Sequence, residues 1–475
     1  MNCGALFTIR WRLTPPGSFF PALFPALFLA LCWTPAVVAQ NTFSGSFPDR
    51  RPETFAQPAE EKGDLTLRDA IKLALERNPE LASFDKEVRA LGGVRIQAGL
   101  FRNPDLDVVT EDVGSPIRPE PVVQQFATVR LSQLIELGGK RAARINAASL
   151  GQELASKDYE ARRLDLIASV ANFFTDVLAG QERVRIVEES VLLAQKVVNS
   201  ASKRVQTGKA PPLEETKAKM ARSSAGIELE LARRDLAAAR KQLALLWGNH
   251  FPQFDKAIGD LTSTITLPNY GELSRRVLDS PVALRSAKNV EQRKALLEVE
   301  HTRRIPDITV NAAVRRYMQT DNITALAGFT IPLPLFNRNQ GSIREAHQRL
   351  DKAIDEQLAT DLRLNTQLSR TYETLLAAQN EINVLRDDIL PGARSAFDVA
   401  NIGYELGRFS FLEMLDAQRT LFQNQLLYIR SLAAYQRLVN EIERLIAGPI
   451  DGETGQPASE NGSDLDQGGD NGQYQ

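Results

Sequence analysis

Residues 306–341 read PDITVNAAVRRYMQTDNITALAGFTIPLPLFNRNQG, and the periodicity of this stretch decides the fold. Ile308, Val310, Ala312 and Val314 interleave with Thr309, Asn311, Ala313 and Arg315. Beyond the turn at Met318–Asp321, Ile323, Ala325, Ala327, Phe329, Ile331 and Leu333 interleave with Thr324, Gly328 and Thr330. Alternation with period two predicts strands that are apolar on one face. Each segment runs about 9–13 residues, the length a tilted strand needs to cross a bilayer. The expected strand pair covers residues 307–335.

The same pattern stands upstream. Asn78-Pro79 precedes Pro104-Asp105 as Ser280-Pro281 precedes Pro306-Asp307, with an offset of 202 residues between the copies. Val129–Ile135, followed by Glu136-Leu137-Gly138-Gly139-Lys140-Arg141, corresponds to Phe329–Leu335 at an offset of 200. Gly208 with Leu213 corresponds to Gly407 with Leu412 at 199. Three ordered anchors mark an internal duplication, with a first copy over 65–266 and a second over 267–447. The first copy carries its own strand pair at about 105–135, joined through Gly114–Pro121.

Helical stretches surround the strands. One is expected over Leu67–Phe101 and its counterpart over Glu272–Arg304. A long helix from about Gly139 to Gln206 comes after the first pair, with an apolar seam through Ile167, Val170, Phe174 and Val177. The second copy repeats it from Ser342 to about Ile402, where Pro391-Gly392 predicts a kink. Each copy then turns, at Thr207–Pro212 and Gly403–Ser410, into a return helix: Leu213–Trp247 and Phe411–Ala447.

Composition alone resembles that of an ordinary soluble protein. The 475 residues include 57 Lys+Arg and 59 Asp+Glu, a net charge of −2, and 43% are apolar. Near neutrality argues against a large basic footprint for nucleic acid. Residues 1–39 hold Arg10 and Arg12, no acid, an apolar run and a small-residue end at Ala36-Val37-Val38-Ala39, the pattern of a cleaved signal peptide. Both cysteines, Cys3 and Cys32, fall within it, so the mature chain is expected to contain none. Residues 40–64 read as a linker, and 448–475 as a disordered acidic tail. No later run reaches the length of a transmembrane helix, so entry into a membrane requires strands closed into a barrel. Four strands cannot close, and lipid does not tolerate open edges. The chain must therefore oligomerise.

The order helix, strand pair, long helix, turn, helix, given twice, resembles the TolC-type outer-membrane factor family. The resemblance spans about residues 65–447. Its most specific marks are Ile331-Pro332-Leu333-Pro334-Leu335-Phe336-Asn337-Arg338-Asn339-Gln340-Gly341, Leu390-Pro391, and the run from Gly403-Tyr404-Glu405-Leu406-Gly407-Arg408 to Gln418. It implies a mainly α fold with a membrane β-barrel: a homotrimer of twelve strands continued by a periplasmic α-helical barrel. The implied role is an outer-membrane exit duct for a tripartite efflux system, with a periplasmic adaptor and an inner-membrane RND transporter as partners. Glu136–Arg141 and Phe336–Gly341 look more like the heavy-metal (CzcC-like) branch than the drug branch. Drug efflux, type I secretion, and a periplasmic coiled-coil adaptor or structural protein stand as alternatives.

By that resemblance the hairpin tips carry the sites. Aligned on Gly407, Glu413 and Asp416 match a carboxylate ring that narrows the duct, and three copies would contribute six carboxylates. Acids there also suit a helix N-terminus, which is the plainer explanation. Tyr404 matches a gate position, but the basic residue expected two positions after Gly407 is Phe409, and Arg408 lies one earlier. Adaptor contact falls to Arg204, Thr207, Gly208 and Lys209 on one tip and to Tyr404, Leu406, Gly407 and Arg408 on the other. Glycine at both tips equally suits a helix C-cap. No catalytic, cofactor or metal motif appears: His250, His301 and His347 are unrelated in spacing, and HExxH, CxxC and P-loop patterns are missing.

Overall fold

The computed structural model describes residues 63–111 and 125–451. The expected leader, the linker up to residue 62, the turn Gly114–Pro121 and the tail beyond residue 451 lie outside the described residues. The chain forms two compact units, and each draws on both sequence copies. One contains residues 96–146 and 296–345; the other contains the remaining described residues.

The first unit is built on an antiparallel sheet in the order β2-β3-β5-β6, with β2 at Asp105–Glu111, β3 at Phe126–Ile135, β5 at Ile308–Tyr317 and β6 at Ile323–Thr330. Pairs Val108↔Val129, Val129↔Val314 and Val314↔Ala325 run across it. Because side chains alternate, this register gathers Leu106, Val108, Val129, Leu131, Val310, Val314, Ile323 and Phe329 on one face, and all are exposed. The opposite face carries Asp105, Asp107, Glu111, Arg130, Asn311, Arg315 and Thr324. There Arg315 lies 4.1 Å over the Phe126 ring and donates to Thr128 Oγ1 at 3.1 Å.

Strand β6 stops at Thr330, five residues short of the expected Leu335. Tyr317 N donates to Asn322 O, so even-numbered residues of β6 direct their backbone groups at β5. Pro332 and Pro334 hold the next even positions and have no N–H to give, which ends the ladder. Below the sheet, Lys140 Nζ and Leu137 N both donate to Asp307 Oδ1, at 2.5 and 3.1 Å. Gly138, at φ +71°, lies so close to Ile305 that a Cβ would meet its side chain at 2.6 Å. Gly138 is therefore close-packed at the strand-to-helix joint, where Gly139 also takes a left-handed φ of +74° with open space around it.

In the helical unit, each expected first helix is broken in two. Helices α1 (Leu67–Arg77) and α2 (Pro79–Ala98) separate at Asn78-Pro79. The counterparts α5 (Tyr270–Leu278) and α6 (Pro281–Thr302) separate before Pro281. Proline disfavours the helical conformation in the residue before it, and Asn78 exploits the break: its Oδ1 accepts from Leu81 N, and its Nδ2 donates to Leu246 O. Helix α3 (Lys140–Gln206) is continuous for 67 residues, about 100 Å at 1.5 Å per residue. It returns as α4 (Pro212–Leu245). In the second copy, α7 (Gln340–Val384) passes through a π-turn at Leu385–Ile389 into α8 (Leu390–Glu405), and α9 (Phe411–Ile446) returns. At the position of the expected kink Pro391 has no N–H, and Leu390 N reaches back five residues to Leu385 O.

Of the expected seam, Val170, Phe174 and Val177 are buried in one cluster with Leu243, Trp247, Leu273, Leu368, Tyr435 and Ile442, while Ile167 is half-buried. Two short parallel strands that periodicity could not flag, β1 (Asp64–Thr66) and β4 (Lys256–Ile258), pair beside it. The Gln181 amide clamps Ala257 N and O, both at 2.9 Å.

Candidate functional site at the hairpin tips

Both hairpins turn by the same device. After α3, Lys209 N bonds to Arg204 O at 2.8 Å and Gly208 adopts φ +70°. After α8, Arg408 N bonds to Gly403 O at 2.8 Å and Gly407 adopts φ +73°. Each is a Schellman-type cap whose left-handed residue favours glycine. Beyond the cap the two tips differ. Phe409 folds back over Gly403 so closely that a Cβ there would meet the ring at 1.9 Å.

The two tips meet at Tyr404, which is 2% exposed. Its hydroxyl donates to Glu214 Oε2 at 3.1 Å, in the first turn of α4. Arg204 Nη1 donates to Tyr404 O at 2.6 Å, and its guanidinium lies 4.6 Å from the ring centre. Phe411 packs edge-on at 5.7 Å. Burial, with the negative charge of Glu214 and the bond to it, pushes the Tyr404 phenol up to about 12, against an opposing effect from Arg204. Val197, Ala201, Ala218, Phe397, Met414 and Leu421 complete the apolar packing. Glu214 and Phe411 escaped the sequence reading because their partners lie in the other hairpin or across a turn, where no periodicity links them.

Of the residues named from sequence, Thr207, Gly208, Lys209, Leu406, Gly407 and Arg408 are exposed, Leu406 to 64%. Arg204 is half-buried and turned onto Tyr404. Tyr404 itself offers no surface to a partner. The basic group beside it comes from the α3 tip and not from the positions after Gly407. Glu413 and Asp416 are both exposed near the start of α9. Glu413 is half of a capping box: its Oε2 accepts from Ser410 N at 2.7 Å, and its N donates to Ser410 Oγ at 3.3 Å. These bonds hold its carboxyl below the ordinary range. Among the described residues, no group of three His, Cys, Asp or Glu side chains is arranged to hold a metal ion.

The outer membrane efflux protein family model matches residues 70–249 and 275–448, one segment in each copy. The chain belongs to the outer membrane efflux protein family. The cobalt-zinc-cadmium resistance protein CzcC of Cupriavidus metallidurans is 38% identical over 389 residues, covering 82% of this chain and 91% of CzcC. The nickel-cobalt-cadmium resistance protein NccC of Alcaligenes xylosoxydans xylosoxydans is 28% identical over 285 residues, 60% of this chain and 64% of NccC. The solved structure of CusC, a transmembrane channel, superposes with a TM-score of 0.70 at 17% identity, over 82% of this chain and 95% of that one. This last likeness bears on the fold.

Membership makes the chain an outer-membrane export channel protein, a conduit without enzymatic chemistry. Among the described residues no helix is long and apolar enough to cross a membrane. The family places such chains in the outer membrane with a large periplasmic helical portion.

Proposed function

We propose that three copies of this chain form an outer-membrane exit duct for heavy-metal cations, fed by a periplasmic adaptor and an inner-membrane RND transporter. The observation that supports the trimer is the four-stranded sheet with an apolar face, a polar face and, among the described residues, two unpaired edges. Lipid forbids such edges, and three sheets supply the twelve strands of a closed barrel. The long helices continue it as an α-helical barrel. The cargo is supported by the match to CzcC over nearly the whole of that protein. A leader cleaved after Ala39 delivers the mature chain, whose two copies, 65–266 and 267–447, precede an acidic tail.

At the closed end, Glu413 and Asp416 form a carboxylate ring that favours cations, while Tyr404 locks the two tips of each protomer together. Thr207, Gly208, Lys209, Leu406, Gly407 and Arg408 form the adaptor surface, with Arg204 shaping it from beneath. Deleting the gene should sensitise the cell to cobalt, zinc and cadmium salts, and the purified outer-membrane protein should have a trimeric native mass. Unchanged metal tolerance with a new sensitivity to organic drugs would overturn the cargo assignment. A monomeric native mass would overturn the duct.

A further inference from the structure

The internal repeat specifies how the two open edges of the sheet are met. Moving β2 by 202 residues and β3 by 200 turns the first strand pair into the second, and the register obeys the operation pair for pair. Asp107↔Arg130 becomes Thr309↔Thr330, Val108↔Val129 becomes Val310↔Phe329, and Glu111↔Phe126 becomes Ala313↔Leu326, all of them observed. Between the pairs runs the seam β3↔β5, with Leu131↔Ala312, Gln133↔Val310 and Ile135↔Ile308. Its repeat-related counterpart joins β6 to β2, which stand at opposite ends of the sheet. One chain leaves that seam unmade.

We propose that the β6 edge of one copy pairs antiparallel with the β2 edge of a second copy in the register Ile331↔Thr110, Leu333↔Val108 and Leu335↔Leu106. The pairing rests on the proposal of a shared barrel and adds the residues that close it.

Backbone direction supports this register. Tyr317 N donates to Asn322 O, and Met318 N donates to Gln125 O. Odd-numbered residues of the β6 strand line therefore aim their backbone groups away from β5, at the open edge. Both prolines of Ile331-Pro332-Leu333-Pro334-Leu335 are even-numbered, so Ile331 and Leu333 keep outward donors. Leu335, whose N–H closes on Leu333 O within its own chain, marks where the ladder ends. The stretch that stops being a strand in one chain is thus the stretch that β2 of a second copy would template.

Side chains support it as well. Leu106 and Val108 are each 67% exposed, Leu333 75% and Leu335 65%. The register places all four on the face that carries Val129 and Leu131, so the apolar band continues across the junction. A slip of one residue would turn Leu106 and Val108 against the polar side. The same operation carries Asp307 to Asp105, Lys140 to Gln340 and Leu137 to Asn337. The seam between copies therefore lacks the ion pair that holds the seam within a chain.

The sequence after residue 39 has no cysteine, which makes cross-linking clean. Opposed residues of a hydrogen-bonded antiparallel pair have Cα atoms about 5.5 Å apart, within the Cα range of a disulfide. The paired variants Leu106→Cys with Leu335→Cys, and Val108→Cys with Leu333→Cys, should yield disulfide-linked oligomers up to the trimer on non-reducing gels of outer membranes. Leu106→Cys with Ile331→Cys is slipped by four residues, about 13 Å, and should yield none. Co-expressing the two single variants, whose linked product is a heterodimer, repeats the test with one cysteine per chain. Linkage of the slipped pair alone, or no linkage in a preparation of trimeric native mass, overturns the register and leaves the trimer intact. A monomeric native mass overturns both.

Discussion

The phenol of Tyr404 donates a 3.1 Å hydrogen bond to Glu214 Oε2, tying together two helix hairpins through residues 190 positions apart. A hydrogen bond to a charged group contributes about 1.5–3 kcal/mol, so Tyr404→Phe should loosen the tips without unfolding the chain. Single-channel conductance in planar bilayers should rise for Tyr404→Phe and for Glu214→Ala. The double variant should rise no further than either, because both remove one contact. Additive increases would mean that the two residues act separately.

The same phenol predicts an alkaline limit. Its pKa is raised to about 12 in the folded protein, against about 10 for an exposed tyrosine. A raised folded pKa means that the proton is held more tightly in the folded state. The stabilisation is complete below about pH 10 and is lost as pH rises through about 12. Phenolate absorbance, taken as wild type minus Tyr404→Phe, should titrate near the upper end of that window. A step complete by about pH 10.5 would place the ring in water.

Glu413 invites a test that separates capping from gating. Its side chain accepts from Ser410 N, and this cap keeps the carboxyl ionised below the usual carboxylate range. With a depressed folded pKa, the stabilisation is present above the ordinary carboxylate pKa and disappears as pH falls through the lowered one. Glu413→Gln keeps the capping bond and removes the charge, whereas Glu413→Ala removes both, at a cost of about 1 kcal/mol of helix stability. If Glu413 lines the gate, both substitutions lower cation selectivity, measured by reversal potential, while only the alanine lowers Tm. Selectivity unchanged in both, including with Asp416→Asn added, would leave only the cap.

How much of the fold was legible in the sequence depends on the range of the interaction. Repeats, alternation and heptad-like seams are local or periodic signals, and they located the strand pairs, the 67-residue helix and both glycine caps. Proline misled in more than one way. Its effect on the chain was expected at Pro391, while its effect on ladder donors at Pro332 and Pro334 ended β6 earlier than alternation implied. The breaks before Pro79 and Pro281 went unread for a different reason, the restriction proline places on the residue before it. At the tips, Arg204 read as a surface cation because sequence spacing carries no trace of the Tyr404 ring it covers. Charge pairs across the fold were equally silent.

One such pair is Lys140 with Asp307, whose side chains are 12% and 25% exposed. Breaking a fully buried pair from one side costs about 3–5 kcal/mol, and partial exposure here should bring the loss to roughly 2–3 kcal/mol. Asp307→Ala should lower Tm in detergent accordingly, and Asp307→Asn by less, because an amide oxygen can still accept from Leu137 N. Equal losses would assign the stabilisation to charge alone.

The last prediction concerns the close approach of Phe409 to Gly403. A methyl group at 403 would stand 1.9 Å from the ring, nearer than any real contact allows. The ring must therefore leave, and with it the fold of the tip from Leu406 to Arg408. Gly208 on the other tip has nothing within 4 Å of a Cβ, so Gly208→Ala meets only the conformational cost of φ +70°, about 1–2 kcal/mol. Gly403→Ala should abolish adaptor pull-down from a protein that remains trimeric, and Gly208→Ala should weaken it only slightly. Phe409→Ala combined with Gly403→Ala removes the clash and should restore binding in part. If the double variant binds no better than Gly403→Ala, the defect lies in the backbone of α8 and not in the displaced ring.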